Sequence, residues 1–162
     1  MSEPIYDART FWELLERRVS ASPDRAFLIQ GDRTVTFGEA KERAERAAAG
    51  FAAMGIGEGT SVTWVLPTRI ETVVASLALS RLGAVQNPIL HIYRDREVGF
   101  CIRQTEAELV LVPGEWGGFD YTAMVERATA DLDAPPSVLT AYDSLPEGDP
   151  SSLPPVPDPG GE

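Results

Sequence analysis

Residues 62–90, VTWVLPTRIETVVASLALSRLGAVQNPIL, decide the fold. Val62-Thr63-Trp64-Val65-Leu66 is an apolar run of strand length without polar alternation, so it expects cover on both faces. Pro67 ends the run, because a proline has no N–H for a sheet ladder. Ile70, Val73, Val74, Leu77 and Leu82 then recur at helical spacing. Gly83 follows as a residue able to take the left-handed conformation that closes a helix. Ala84 to Leu90 returns to an extended apolar segment ending in Asn87-Pro88-Ile89-Leu90. A strand, a helix and a second apolar strand form the repeating unit of a parallel sheet, joined by a right-handed crossover.

The same alternation extends outward. Upstream, Thr36-x-x-Glu39 is a capping box, in which hydroxyl and carboxylate satisfy free backbone N–H groups. Phe37, Ala40, Ala44, Ala47, Ala48, Phe51 and Met54 then form one helical stripe, with Gly55 closing it. The alanines let this helix lie close against a sheet. Further upstream, Ala26–Gln30, Gly31-Asp32 and Thr34–Thr36 predict a hairpin of two short strands. A second capping box, Thr10-x-x-Glu13, opens a helix whose apolar stripe is Phe11, Leu14, Leu15 and Val19. Downstream, the spacing predicts a helix over 95–104 with Val98, Cys101 and Ile102 inward. It then predicts a strand at 109–112, a loop over 113–118 holding Trp116, a helix carrying Tyr121, Met124, Val125 and Ala128, and a last strand at 137–140. The fold class is α/β, a partial parallel-sheet subdomain with flanking helices.

The boundaries that follow are a tail over 1–9, the α/β unit over 10–142, and a Pro-rich acidic linker over 143–162. Six of the final 17 residues are proline, and the linker carries five acidic residues and no basic one. Such a stretch cannot hold a helix or a central strand. A chain stopping inside a linker reads as truncated.

Composition narrows the function. The 162 residues carry a net charge of −11, and 13 of the 14 basic residues are Arg, with Lys41 the only lysine. Without a basic stripe the chain suits neither nucleic acid nor an anionic membrane surface. No apolar run approaches the ~20 residues of a membrane span. The N-terminus lacks the apolar core of a signal peptide, and the single cysteine, Cys101, fits a reducing compartment. The expected location is the cytoplasm.

Catalytic motifs are sparse. No G-x-x-x-x-G-K-[ST] loop is present. Gly55-x-Gly57-x-Gly59 follows a helix and precedes a strand, the reverse of a dinucleotide loop, and reads as a tight turn. His91, the only histidine, lacks the cysteine or histidine neighbours of a zinc site and the G-x-S-x-G serine of a hydrolase. It reads as a surface or subdomain-contact residue that can also touch a ligand. Asn87-Pro88 shapes backbone at a strand end. Arg69, Arg94 and Arg96 read either as solvated charges or as groups that meet an anion at a cleft rim. Trp116, among Gly114, Gly117 and Gly118, reads either as a plug against a neighbouring subdomain or as a platform for a flat ring such as adenine.

Five segments together carry a resemblance. They are Thr34–Glu39 opening the Ala-rich helix, Gly55–Gly59 with Ser61-Val62-Thr63, Val65–Glu71, Leu79–Pro88, and Glu106–Val112. In order and spacing they resemble the N-terminal part of AMP-forming acyl-CoA synthetases, in the adenylate-forming superfamily, over about residues 10–140. The region 85–94 looks most like the branch acting on cyclohexanecarboxylate, fatty or steroid-side-chain acids.

The resemblance implies the large N-terminal domain of an adenylate-forming ligase. It also implies a two-step reaction, in which a carboxylate attacks the α-phosphate of ATP with Mg²⁺ assistance and coenzyme A thiolate then displaces AMP. The small-molecule acid, ATP, CoA and Mg²⁺ are partners of the parent enzyme. None is assigned to these residues alone, because the family's Ser/Thr/Gly-rich phosphate loop and catalytic lysine have no counterpart here. No catalytic and no metal residue is therefore expected, and ATP–pyrophosphate exchange should be absent. Carried over by position, His91, Tyr93, Arg94 and Trp116 are the candidate CoA contacts. The alternatives are the N-terminal part of a carrier-protein-loading adenylation domain, and a stand-alone α/β binding module. The truncated reading further expects apolar residues of the Trp64 strand and of Ala84–Leu90 to face nothing, with poor solubility or oligomerisation.

Overall fold

The computed structural model describes residues 7–158; the predicted tail over 1–9 and the last four residues lie mostly outside them. The segment 62–90 forms the expected unit. Strand β3 is Ser61–Trp64, helix α3 is Ile70–Arg81 and strand β4 is Val85–Pro88, parallel to β3 with Val62 beside Gln86. Helix α4 (Asp95–Gln104) crosses back to β5 (Leu109–Val112), and helix α5 (Tyr121–Ala128) leads to β8 (Ser137–Thr140). The parallel sheet has the order β4-β3-β5-β8. Sequence order thus reverses between β3 and β5, and open α/β sheets offer their ligand crevice at the carboxyl ends beside such a reversal.

Each sheet face has its own core. Val62, Leu109, Leu111 and Ala141 point to one side, against α3, helix α2 (Phe37–Ala53) and helix α1 (Phe11–Ala21). Val65, Val110 and Val112 point to the other, against Val98, Ile102, Met124 and Val125 of α4 and α5. The interior strands β3 and β5 read as unalternating apolar runs because both of their faces are dry. Helix α3 is buried over most of its surface, between sheet and helices, so Thr72, Ala75, Ala78 and Leu79 are buried along with Ile70, Val74, Leu77 and Leu82 of the predicted stripe, while Val73 is half-buried. The Thr36 capping box forms as expected: the Thr36 hydroxyl accepts from Glu39 N–H, and the Glu39 carboxylate accepts from Thr36 N–H at 2.8 Å. The antiparallel hairpin pairs β1 (Ala26–Gln30) with β2 (Arg33–Thr36).

Several expectations change. In α1 Leu15 is buried as expected, but the residue fully enclosed is Trp12, while Phe11 is 68% exposed. Met54 falls off the α2 stripe into solvent. Trp64 does not face nothing: β3 is an interior strand, and Trp64 packs half-buried against the first core. The loop over 113–118 holds structure of its own. Glu115–Trp116 (β6) pairs antiparallel with Phe119–Asp120 (β7) through Gly117 and Gly118, both at positive φ, the geometry of a two-residue hairpin turn.

The Pro-rich segment is extended apart from one 3₁₀ turn at Pro150–Ser152, and it lies as a strap across α2 and α3. Leu145 and Leu153 pack on the first core. Gly148 N–H donates to Arg46 O at 3.0 Å, and the Arg81 guanidinium donates to Pro154 O at 2.7 Å. The strap approaches so closely that a Cβ on Gly50 would lie 2.4 Å from the Pro146 carbonyl carbon, and one on Gly148 would lie 2.8 Å from Ala49. It ends with Pro157 against Gly83 and Asp158 paired to Arg9 at 3.0 Å.

Candidate functional site

The carboxyl ends of β4 and β5 bring three of the four candidate residues together. His91 follows β4, Arg94 caps the start of α4, and Trp116 sits in β6. The His91 ring meets Trp116 edge to face, with centroids 5.0 Å apart. The cluster also includes Phe119 and Tyr121. Trp116 lies 6.3 Å from Tyr121, and Phe119 meets Tyr121 edge to face at 5.0 Å. The Arg94 guanidinium stands 4.3 Å over the Phe119 ring, a cation–π arrangement.

Backbone bonds hold this group in place. The carbonyl of His91 accepts from the Tyr121 hydroxyl at 2.9 Å and from Arg94 Nη1 at 2.9 Å; Arg94 also donates to Tyr93 O at 2.8 Å. Tyr121 is the anchor: its ring is buried, and its N–H donates to Gly114 O. Trp116 and Phe119 are half-buried and Arg94 is exposed, so the cluster presents aromatic surface and a cation to solvent. Beside it, the hydrogen bond from Arg127 at 2.8 Å holds the Asp95 carboxyl below its ordinary pKa, which keeps that helix-opening charge ionised.

Tyr93 turns elsewhere. It lines a groove of about 960 Å³ with Leu90, Arg96 and Phe100, on the flank of β4 and α4. Arg69 is committed to structure: it lies 3.9 Å over Tyr142, donates to Asp143 at 3.2 Å and faces Glu71 at 3.4 Å. Burial pushes the Glu71 carboxyl up, but the hydrogen bond from Arg33 and the charges of Arg33 and Arg69 outweigh it, so its pKa ends below the ordinary value. Asn87 donates to the Thr63 hydroxyl at 3.1 Å, tying β4 to β3 as the shaping role expects.

Phe119 and Tyr121 join the cluster without a signal in the hydrophobic period. Spacing alone places Tyr121 on a helix face. The signal that finds both is the Gly117-Gly118 pair, which folds Phe119 back beside Trp116.

Chemically, this arrangement gathers aromatic rings and one cation at a single edge of the sheet. Rings of this kind can stack on a flat base, and a guanidinium can meet an anion. Magnesium does not fit the described residues, among which no three His, Cys, Asp or Glu side chains converge. Lys41, the single lysine, is ion-paired to Glu45 on α2 and stands over the Trp12 ring. No helix among the described residues is long and apolar enough to cross a membrane.

Known proteins share both the sequence pattern and the fold. The 2,3-dihydroxybenzoate-AMP ligase of Bacillus subtilis is 30% identical over 132 residues, covering 82% of this chain and 24% of that protein. A Mycobacterium marinum medium/long-chain-fatty-acid–CoA/3-oxocholest-4-en-26-oate–CoA ligase is 37% identical over 94 residues, covering 58% of this chain and 17% of the ligase. The crystal structure of the anthranilate CoA ligase AuaEII in complex with anthranoyl-AMP superposes with a TM-score of 0.71 at 19% identity, covering 83% of this chain and 26% of that one. The chain thus spans about a quarter of the length of such relatives. The sequence profile of the AMP-binding enzymes matches residues 15–159, nearly the whole described chain, and on that match the protein belongs to the AMP-binding enzyme family of adenylate-forming ligases.

Proposed function

We propose that this chain is the N-terminal part of an acyl-CoA synthetase, that it supplies the surface receiving the nucleotide end of CoA, and that it carries out no adenylation by itself. The observation that carries this reading is the cluster of His91, Trp116, Phe119 and Arg94 at the carboxyl edge of the parallel sheet. A purine offers a π-face that stacks on such rings. The phosphates of the nucleotide end are anions that an exposed guanidinium meets with paired donors. Tyr121, through its bond to the His91 carbonyl, fixes the spacing of the two walls. Tyr93, on the neighbouring groove, remains a contact only for ligand that extends past Arg94.

The parent reaction activates a carboxylate at the α-phosphate of ATP and then transfers the acyl group to a thiol. Charge accumulates on phosphate oxygens, and preformed cations and N–H donors lower that barrier. The one lysine is held on α2 by Glu45. The chain's contribution is to bind and orient.

The test is ATP–pyrophosphate exchange by the purified chain with fatty, aryl and alicyclic acids. No exchange above a protein-free control is expected. Exchange that tracks the chain through purification overturns the assignment of catalysis to residues outside it.

A further inference from the structure

Among the described residues, exposed apolar side chains concentrate on the flank of β4 and α4. Of nine large apolar residues exposed among those described, five lie on or next to these two elements: Val85, Leu90, Ile92, Tyr93 and Phe100. The edge strand itself resists closure by another strand. Val85 and Ile89 donate their N–H groups inward to Thr60 and Trp64 of the β3 segment. By the two-residue period, Gln86 and Pro88 therefore face outward, and Pro88 has no N–H to offer. Whatever covers this flank docks through side chains.

The charges of the flank select the occupant. Asp95 and Arg103 of α4 are paired to Arg127 and Asp131. Arg96 and Glu97, adjacent and exposed, have no ion-pair partner among the described residues, yet both line the apolar groove with Leu90, Tyr93 and Phe100. Neighbouring charges of opposite sign on an apolar face are self-complementary under a two-fold axis. Although the chain carries a net charge of −11, this groove holds Arg96 and Arg103 against Glu97, so a second copy meets little repulsion here.

From these observations we infer that the β4–α4 face is a homodimer interface, in which two α4 helices pack antiparallel about an axis between residues 96 and 97. Arg96 of each copy then meets Glu97 of the other. About the same axis Phe100 of one copy lies toward the Tyr93 segment of the other, just ahead of α4, and Leu90 closes the apolar patch. Such isologous pairing is the usual symmetry of soluble dimers. This inference does not depend on the nucleotide reading, because it is tested by mass.

The experiment is sedimentation equilibrium and light scattering of the purified chain from low micromolar to submillimolar concentration. A monomer–dimer equilibrium is expected. Phe100→Glu, at a position 61% exposed in the monomer, should raise the dimer Kd by about 30-fold or more, as loss of a central aromatic does. Arg96→Glu should raise it by about tenfold, and Arg96→Glu/Glu97→Arg should return it to within about threefold of the parent, because reversing both charges restores the pairs. Ile29→Glu, on the distant hairpin, should leave it unchanged. Circular dichroism confirms that each variant is folded. A chain that stays monomeric throughout overturns the inference, and leaves the face to further polypeptide such as the longer relatives carry. A dimer indifferent to Phe100→Glu, or one that the double reversal does not rescue, overturns it equally.

Discussion

Replacing Gly50 by leucine should lower stability by about 3 kcal/mol and detach the strap. The position lies inside α2, where leucine is a better helix former than glycine by roughly 0.5–1 kcal/mol. On local grounds the substitution therefore stabilises. The tertiary effect has the opposite sign and is larger. A Cβ there would stand 2.4 Å from the Pro146 carbonyl carbon and 2.6 Å from Glu147 N, both backbone atoms that cannot swing aside. The strap has to lift. Leu145 and Leu153 then lose their seats on the core. Arg81, 8% exposed, exchanges its acceptor at Pro154 O for water, giving up a hydrogen bond to a charged group worth about 1.5–3 kcal/mol. For a domain of this size the Tm should fall by about 6–12 °C. Limited proteolysis should gain cleavage within 144–157 while the sheet stays protected. Gly57→Ala is the control: a Cβ there meets nothing within 4 Å, so the melting curve should not move. A Gly50→Leu protein that melts with the parent and resists protease shows that the strap does not bear on α2.

Trp12→Ala should be the most damaging single change in the chain, costing about 3–5 kcal/mol. Trp12 is completely enclosed. Lys41 stands 5.5 Å and Arg81 5.8 Å from its ring, and its backbone N–H donates to the Ser80 hydroxyl, so one side chain joins α1, α2 and α3. Its indole N–H, however, finds no acceptor among the described residues. Trp12→Phe keeps most of the ring and removes that orphan donor, so it should cost under about 1.5 kcal/mol. Urea titrations separate the two. Equal losses for Ala and Phe contradict the packing account.

The elements of the sheet were readable because each rule acts locally. An unbroken apolar run marks β3 and β5, a capping box marks α2, and Gly83 marks the end of α3. What was not readable depends on partners far along the chain. Periodicity alone placed Phe11 on the α1 stripe, but the space between α2 and α3 takes Trp12. The Pro-rich segment was readable as extended and not as docked, because its seat is Gly50, about a hundred residues earlier. The site divides in the same way. His91, Arg94 and Trp116 were found and do converge. Phe119 and Tyr121 were missed, because two strands of two residues each carry no period to detect. Tyr93 was grouped with His91 by sequence proximity, yet it faces the neighbouring groove.

Nuclear magnetic resonance titration of the chain with CoA and with dephospho-CoA tests the carboxyl edge of the sheet most directly. Saturating shifts are predicted for the Trp116 indole and for backbone amides over 91–94 and 116–121, with dephospho-CoA binding more weakly because it lacks the phosphate for Arg94. Trp116→Ala should weaken CoA binding by roughly 5- to 150-fold, the range that one base–aromatic stack supplies. A folded chain that binds neither compound, or one whose shifts map away from these residues, contradicts the account.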